Sequence, residues 1–246
     1  MTENTRIFRF DEIDSTNVYL KNLNPRYNLD LVITKTQTNG KGRRGNKWVS
    51  EEGSAIFSII LEDKKKMEML EYTKMPLVMG IAVLNGIKNF LIKNNKESVA
   101  KLLSFKWTND VYLDSRKITG ILVEKSDDFF IVGVGTNLNN KIPEELKNYG
   151  ISIFELVNEK MDTEELIFEI VSQVKEYFYK LQDGKWLEII KEINSKNLLK
   201  NREIAVHFSD KILKGTANDI LENGCLEFFL EKERMELSIG EVHLKL

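Results

Sequence analysis

The segment Gly40-Lys-Gly-Arg-Arg-Gly45 sets three cations among three glycines, a composition suited to a loop that folds over an anion. Lys41, Arg43 and Arg44 supply the charge, and an arginine can grip a carboxylate or phosphate with two parallel N–H donors. The glycines formally match GxGxxG, but a dinucleotide loop must open a helix, whereas Asn46-Lys-Trp-Val-Ser50 leads back toward a strand. In isolation the motif is more ordinarily a solvated basic turn. A second segment, Lys106-Trp-Thr-Asn-Asp110, is followed closely by Arg116-Lys-Ile-Thr-Gly-Ile-Leu-Val-Glu124. A lysine on the inward side of a sheet is costly unless an anion pairs with it, which makes Lys117 a candidate anion ligand, although spacing alone favours a surface hairpin lysine. In Gly133-Val-Gly-Thr-Asn137-Leu-Asn139 two glycines permit close backbone approach at a strand end, and two amides stand ready to hydrogen-bond.

Elements must bring these pieces together. Arg6 to Phe10 reads as a strand, and the small polar chains of Asp14-Ser15-Thr16-Asn17 suit the N-terminus of a helix over Val18 to Leu23. Asp30 to Gln37 is a strand, Thr38 to Lys47 an exposed mobile loop, and strand character returns at Trp48 to Ser50 and Ser54 to Leu61. A helix follows from Met75 to Ile92 with Pro76 in its first turn. Phe105 to Thr108, Val111 to Leu113, Lys117 to Glu124 and Phe129 to Val134 are closely spaced strands, with turn signals at Asn109-Asp110, Asp114-Ser115 and Asp127-Asp128. Such short connections predict a mostly antiparallel or mixed sheet. Ile153 to Val157, Thr163 to Leu181 and Trp186 to Asn194 read as helices, the long one with an apolar stripe at Leu166, Ile167, Ile170, Val174 and Tyr177. Beyond Lys196 the period switches to short strands around Ile204 to Phe208, Ile212 to Ala217, Cys225 to Leu230 and Met235 to Leu237, which predicts a boundary near residue 197 and a small β barrel after it.

Composition narrows the class. The 246 residues are 42% apolar and 30% charged, enough for one main core and an appendage. With 36 Lys and Arg against 38 Asp and Glu, no basic excess favours bulk nucleic-acid binding. The single cysteine, Cys225, forms no internal disulfide and fits a reducing cytoplasmic setting as a small packed side chain. Met1 to Asp14 lacks the apolar core of a signal peptide, and the apolar stretch Met75 to Leu84 falls short of a membrane span. His207 and His243 have no partner at metal-ligand spacing and read as surface or barrel residues, and Lys64 to Lys66 as solvated surface.

In order and spacing, the quoted segments resemble the biotin protein ligase family, in its form without a DNA-binding domain. The resemblance runs through most of the first 140 residues and more loosely beyond. Ser15-Thr16-Asn17 looks like the family's biotin-contacting helix start, and Gln37 with GKGRRGNKW looks like its biotin and adenylate loop. KWTNDV and RKITGILVE look like its two sheet signatures, and GVGTNLN like its nucleotide-side turn. The implied fold is α+β: a central mixed or antiparallel sheet flanked by helices, of the class II synthetase-like biotin/lipoate ligase kind, over residues 1–196, with an SH3-like barrel over 197–246. The implied catalytic residues are Lys117, Arg43 and Asp110. Ser15, Thr16, Asn17, Gln37, Lys41, Gly42, Arg43 and Lys117 would hold biotin, and Arg43, Arg44, Trp48, Lys106, Asn109, Asp110 and Asn137 the nucleotide. Two positions depart from the pattern. Lys41 stands where arginine is common, keeping charge but losing the fork, and Thr108 replaces the proline of a KWPND signature, giving a less rigid turn.

The implied reaction joins biotin and ATP as biotinyl-5'-adenylate and passes the biotinyl group to a lysine of a biotin carboxyl carrier domain. Joining two anions requires cations, which Lys106, Lys117, Arg43 and Arg44 offer, with magnesium arriving on ATP rather than in a protein cage. The uncharged biotin head needs an apolar wall with a few polar groups, which Ser15, Thr16 and Gln37 suit. The attacking carrier amine is only about 0.1% neutral near pH 7.4, and Asp110, the carboxylate within the signature strands, is the residue that would orient it or accept its proton. Because the ligase signature begins almost at once, no repressor function, DNA or membrane partner is expected, and assembly as monomer or homodimer stays open. Lipoate or octanoate ligases share the fold but lack the paired loop and KWPND-like signatures, and a non-catalytic nucleotide- or effector-binding module is the other alternative.

Overall fold

The computed structural model describes residues 5–207, 212–231, 233–238 and 241–244, without the side chains of Arg44, Leu70 or residues 241–244. The chain begins with β1 (Ile7–Ile13), α1 (Thr16–Asn22), β2 (Leu31–Gln37) and β3 (Ala55–Glu62), followed by α2 (Met69–Tyr72), α3 (Met75–Lys93) and α4 (Glu97–Ala100). β4 (Leu103–Lys106), β5 (Asp110–Leu113), β6 (Arg116–Ser126) and β7 (Phe129–Thr136) precede α5 (Ile153–Val157), α6 (Thr163–Gln182) and α7 (Trp186–Ser195). The seven strands form one sheet in the order β1-β2-β3-β7-β6-β5-β4. β1 and β2 are parallel, joined through α1, and every other neighbouring pair is antiparallel, so the expected mixed sheet is present.

Alternation along β3 explains how the sheet separates two faces. Phe57, Ile59 and Leu61 point into the main core with α3 and α6, whereas Ile60 joins Leu20, Val32 and Ile131 beneath α1. α6 buries Leu166, Ile167, Ile170, Val174, Tyr177, Phe178 and Leu181, the stripe expected of an amphipathic helix, and its Asp162 N-cap accepts from the Glu165 amide at 2.8 Å. α3 differs from the sequence expectation: over Met75–Lys93 it is long and apolar enough to cross a membrane by composition, but 78% of that stretch is buried inside the fold. Gly86 and Asn85 interrupt the run without ending the helix, so the apolar tract extends beyond Leu84 as the central core element.

Several strand boundaries also differ. Trp48 to Ser50 is not a strand; its backbone makes one ladder-like contact, Trp48 N–H to Gly40 O at 3.0 Å, because the Trp48 side chain is drawn down onto the sheet instead. β4 ends at Lys106, and Trp107 to Asn109 form the turn, which begins two residues earlier than the Asn-Asp signal suggested. The strand expected from Cys225 starts at Leu226, leaving Cys225 in the preceding turn, half-buried.

After α7 the chain runs beside β4, with Phe105 N–H donating to Lys196 O and Leu198 N–H to Phe105 O, both at 2.8 Å. It then enters a five-stranded antiparallel sheet of β8 (Arg202–His207), β9 (Ile212–Ile220), β10 (Leu226–Leu230), β11 (Glu233–Leu237) and β12 (Glu241–Leu244), in the order β11-β10-β9-β8-β12. Its inner residues Ile204, Val206, Ala217, Leu226 and Phe228 belong to the same apolar cluster as α3 and β4. Two indole N–H groups clasp its β9–β10 turn: Trp107 donates to Gly224 O at 3.1 Å and Trp186 to Glu222 O at 2.6 Å. Phe208 lies outside the described residues, as does the side chain of His243, while His207 closes β8.

Candidate active site

The α1 face of the sheet carries a cavity of about 190 Å³ where the start of α1 meets β2, β3, β5, β6 and β7. One end is built from small polar residues. Parallel pairing of β1 and β2 brings the strand-to-helix corner against Gln37, whose Oε1 accepts from the Thr16 amide at 2.9 Å and its hydroxyl at 3.1 Å. The Ser58 hydroxyl reaches within 2.7 Å of Thr16 Oγ1 and 2.6 Å of Asn17 Oδ1, and Asn17 Nδ2 donates to Glu124 Oε2 at 2.8 Å. Ser15, Thr16, Asn17 and Ser58 are all buried, so this network compensates a desolvation that would otherwise be costly. Gly133, paired with Ser58 across β3 and β7, makes room for it: a Cβ there would lie 2.2 Å from Asn17 Oδ1. Ile56 and Leu122 add apolar wall.

The basic loop closes one side. Gly42 N–H donates to Asn46 O at 2.7 Å, Lys41 and Lys47 form a β-bridge, and Arg43–Gly45 make a single 3-10 turn, so a small hairpin lies within the segment expected to be an exposed mobile loop. Gly45 sits at φ +79°, where a side chain would be strained. The Trp48 indole lies flat on Gly120 and Gly135, partners across β6 and β7, where added Cβ atoms would come within 2.8 and 2.4 Å of the ring. These glycines form a shelf that fixes the end of the loop. From the loop's turn, Arg43 Nη1 donates to Asn109 Oδ1 at 2.7 Å and to Thr108 Oγ1.

The charged floor comes from β5 and β6. Lys117 Nζ and Asp110 Oδ1 form an ion pair at 2.9 Å, with side chains 35% and 20% exposed. Lys117 is held on both sides of its backbone, by Tyr112 in β5 and by the 149–151 segment, where its N–H donates to Tyr149 O at 2.7 Å. Tyr112 holds its phenol proton well above the usual tyrosine range, first through burial and then through the Asp110 charge. Among the described residues lining the cavity, Lys41, Arg43, Lys47 and Lys117 face the single carboxylate of Asp110. The site is thus anion-attracting at one end, and polar with apolar walls at the other.

Eleven of the expected site residues line this one cavity: Ser15, Thr16, Asn17, Gln37, Lys41, Gly42, Arg43, Trp48, Asn109, Asp110 and Lys117. Lys106 does not; it shares the face, opposite Asp110, but its Nζ donates to Tyr112 OH at 3.1 Å and lies over that ring. Asn137 is turned away into the following loop, where its Oδ1 accepts from Asn140 Nδ2 at 3.1 Å and its carbonyl accepts from the Ile153 amide. The Arg44 side chain lies outside the described atoms. Sequence reasoning missed Ser58 and Glu124, which brace the polar end; the available signal was a serine inside the otherwise apolar strand Ala55–Glu62.

Comparisons agree with this geometry. The profile of the biotin/lipoate A/B protein ligase family matches residues 9–137. Among curated relatives, the bifunctional ligase/repressor BirA of Bacillus subtilis is 30% identical over 150 residues, 57% of this chain, and the chain spans only 43% of that protein's length. A biotin--[acetyl-CoA-carboxylase] ligase of Mycobacterium tuberculosis is 23% identical over 87% of this chain and 79% of its own. The solved structure of a biotin protein ligase from Aquifex aeolicus in complex with biotin and ATP superposes with a TM-score of 0.84 at 30% identity, covering 98% of both chains.

Proposed function

Since this chain belongs to the biotin/lipoate A/B protein ligase family, we propose that it is a biotin protein ligase, which forms biotinyl-5'-adenylate from biotin and ATP and then biotinylates a lysine of a biotin carboxyl carrier domain. The observation that carries this reading is the gradient within one cavity, from the buried Ser15-Thr16-Asn17-Gln37 end to the Arg43 and Lys117 end. An uncharged ureido head fits the first and a carboxylate tail the second. The Aquifex aeolicus likeness over 98% of both chains supports the same substrates.

In the first step a biotin carboxylate oxygen bonds to the α-phosphorus of ATP and the bond to pyrophosphate breaks. Arg43 and Lys117 offset the repulsion between the two anions and the charge that develops on the α-phosphate oxygens. Trp48, on its glycine shelf beside the cations, and Asn109 would border the nucleotide. In the second step the carrier amine attacks the biotinyl carbonyl and AMP leaves; Asp110, the carboxylate at this wall, would orient that amine and take its proton. The hairpin over the site would exclude water from the anhydride. A magnesium ion fits only as a passenger of the nucleotide, since one carboxylate lines the cavity among the described residues and Lys117 pairs with it. When bound, the ion would neutralise phosphate charge, and Asp110 is the lining carboxylate that would help hold it. Residues 197–246 would form a separate SH3-like domain that holds the Trp107–Asn109 turn through Gly224.

The test is ATP–pyrophosphate exchange driven by biotin, with lipoate and octanoate in parallel. Exchange with biotin alone, and mass-spectrometric detection of the adenylate, supports the proposal; exchange driven by lipoate or octanoate in place of biotin, or no exchange with any acid, would overturn it.

A further inference from the structure

We propose that Thr108 is a positioning residue that latches the basic hairpin to the sheet before any ligand arrives; its catalytic consequence rests on the biotin ligase reading, its geometry does not. The hydrogen bonds form a closed ring. Arg43 Nη1 donates to Thr108 Oγ1 and to Asn109 Oδ1, and the Thr108 hydroxyl donates its own proton to Asn109 Oδ1 at 3.1 Å. The accounting balances: Nη1 carries two N–H groups, the hydroxyl receives one bond and gives one, and an amide oxygen has two lone pairs. Asn109 in turn donates from Nδ2 to Ile121 O of β6 and is 6% exposed, so the ring is moored to a central strand.

The hairpin's other backbone contacts hold it to itself, through Gly42 with Asn46, Gly40 with Trp48, and the Lys41–Lys47 bridge. Among the described atoms, the Trp48 indole at one end and the Arg43 ring at the tip attach it to the sheet. A proline at position 108 has no side-chain oxygen and could not accept from Arg43, so the threonine adds a contact that the signature residue it replaces cannot make. With Arg43 already placed, the first anion to bind loses less affinity to loop ordering.

The experiment compares Thr108→Val, which removes the hydroxyl and keeps the branched shape, with Thr108→Ser, which keeps the hydroxyl. Trypsin cleavage within the hairpin, at Lys41, Arg43, Arg44 or Lys47, is followed on ligand-free protein, where the rate reports the open population. Thr108→Val should be cut about tenfold faster, the scale of one lost hydrogen bond to a charged group, while Thr108→Ser stays near wild type. In pyrophosphate exchange the KM for biotin should rise by about the same factor in Thr108→Val, with kcat within about twofold, because the latch sets loop placement rather than chemistry. Unchanged cleavage in Thr108→Val with an unchanged thermal midpoint, or equally fast cleavage in Thr108→Ser, would overturn the latch. A wild-type protein inactive with biotin would sink the functional reading, while cleavage would still decide the latch.

Discussion

Replacing Lys117 by alanine removes the cation that stands 2.9 Å from Asp110 on the cavity floor. A unit charge about 4 Å from a developing phosphate charge is worth about 4 kcal/mol at an effective dielectric constant near 20. The side chain is 35% exposed, so water screens part of that effect, and about 3 kcal/mol is a fair figure, the range seen when a group stabilising an oxyanion is lost. That corresponds to roughly a hundredfold slower adenylate formation. Stability should change little, by at most about 1 kcal/mol for a partly exposed ion pair, or a few degrees in thermal midpoint. The assay is single-turnover formation of biotinyl-adenylate at saturating ATP and biotin. A companion experiment supplies synthetic biotinyl-adenylate and apo carrier, a step at which Lys117 has less charge to stabilise; there the variant should retain most of its rate. A folded variant that forms adenylate within about threefold of wild type, or loses transfer from supplied adenylate just as severely, would refute the electrostatic role.

Asp110→Asn should keep adenylate formation within about tenfold of wild type yet slow transfer to the carrier by about a hundredfold, a typical general-base contribution; equal losses in both half-reactions would argue against its place in the second step. Gly135→Ala puts a Cβ 2.4 Å from the Trp48 ring and should displace the indole, costing about 1–3 kcal/mol and raising the KM for ATP; unchanged melting and kinetics would contradict the shelf. Tyr112 and Tyr177 both hold their phenol protons above the usual range, foremost through burial, then through Asp110 for Tyr112 and the Glu192 hydrogen bond for Tyr177. The native state therefore binds those protons more tightly than the unfolded chain, so their stabilisation is complete below the ordinary tyrosine pKa near 10 and is lost as pH rises above it. Thermal midpoints should fall from about pH 10 upward, less steeply in Tyr112→Phe; a flat profile through pH 11 would count against burial of the two phenols.

Local patterns were readable where one face of an element decides its fate. The stripe of α6, the strands β2, β3 and β7, and the polar corner at Ser15 to Asn17 follow from periodicity and small polar residues. What the sequence could not disclose is set by contacts across strands. Ser58 and Glu124 meet Asn17 from positions 41 and 107 residues away, and no local pattern marks them as a pair. Trp48 reads as a strand residue until Gly120 and Gly135 are seen to leave it a shelf. Lys106 and Asn137 sit in the right segments, yet cross-strand packing sends one to Tyr112 and a local amide contact turns the other into its loop. Motif membership thus located the site, and side-chain direction decided who takes part.

The most direct test is a structure of this protein with biotinyl-adenylate bound. Lys117 Nζ and the Arg43 guanidinium should both lie within hydrogen-bonding distance of the carboxyl–phosphate junction, with the ureido ring against Thr16 and Gln37. An adenylate whose junction touches neither cation, or one seated outside this cavity, would contradict the account.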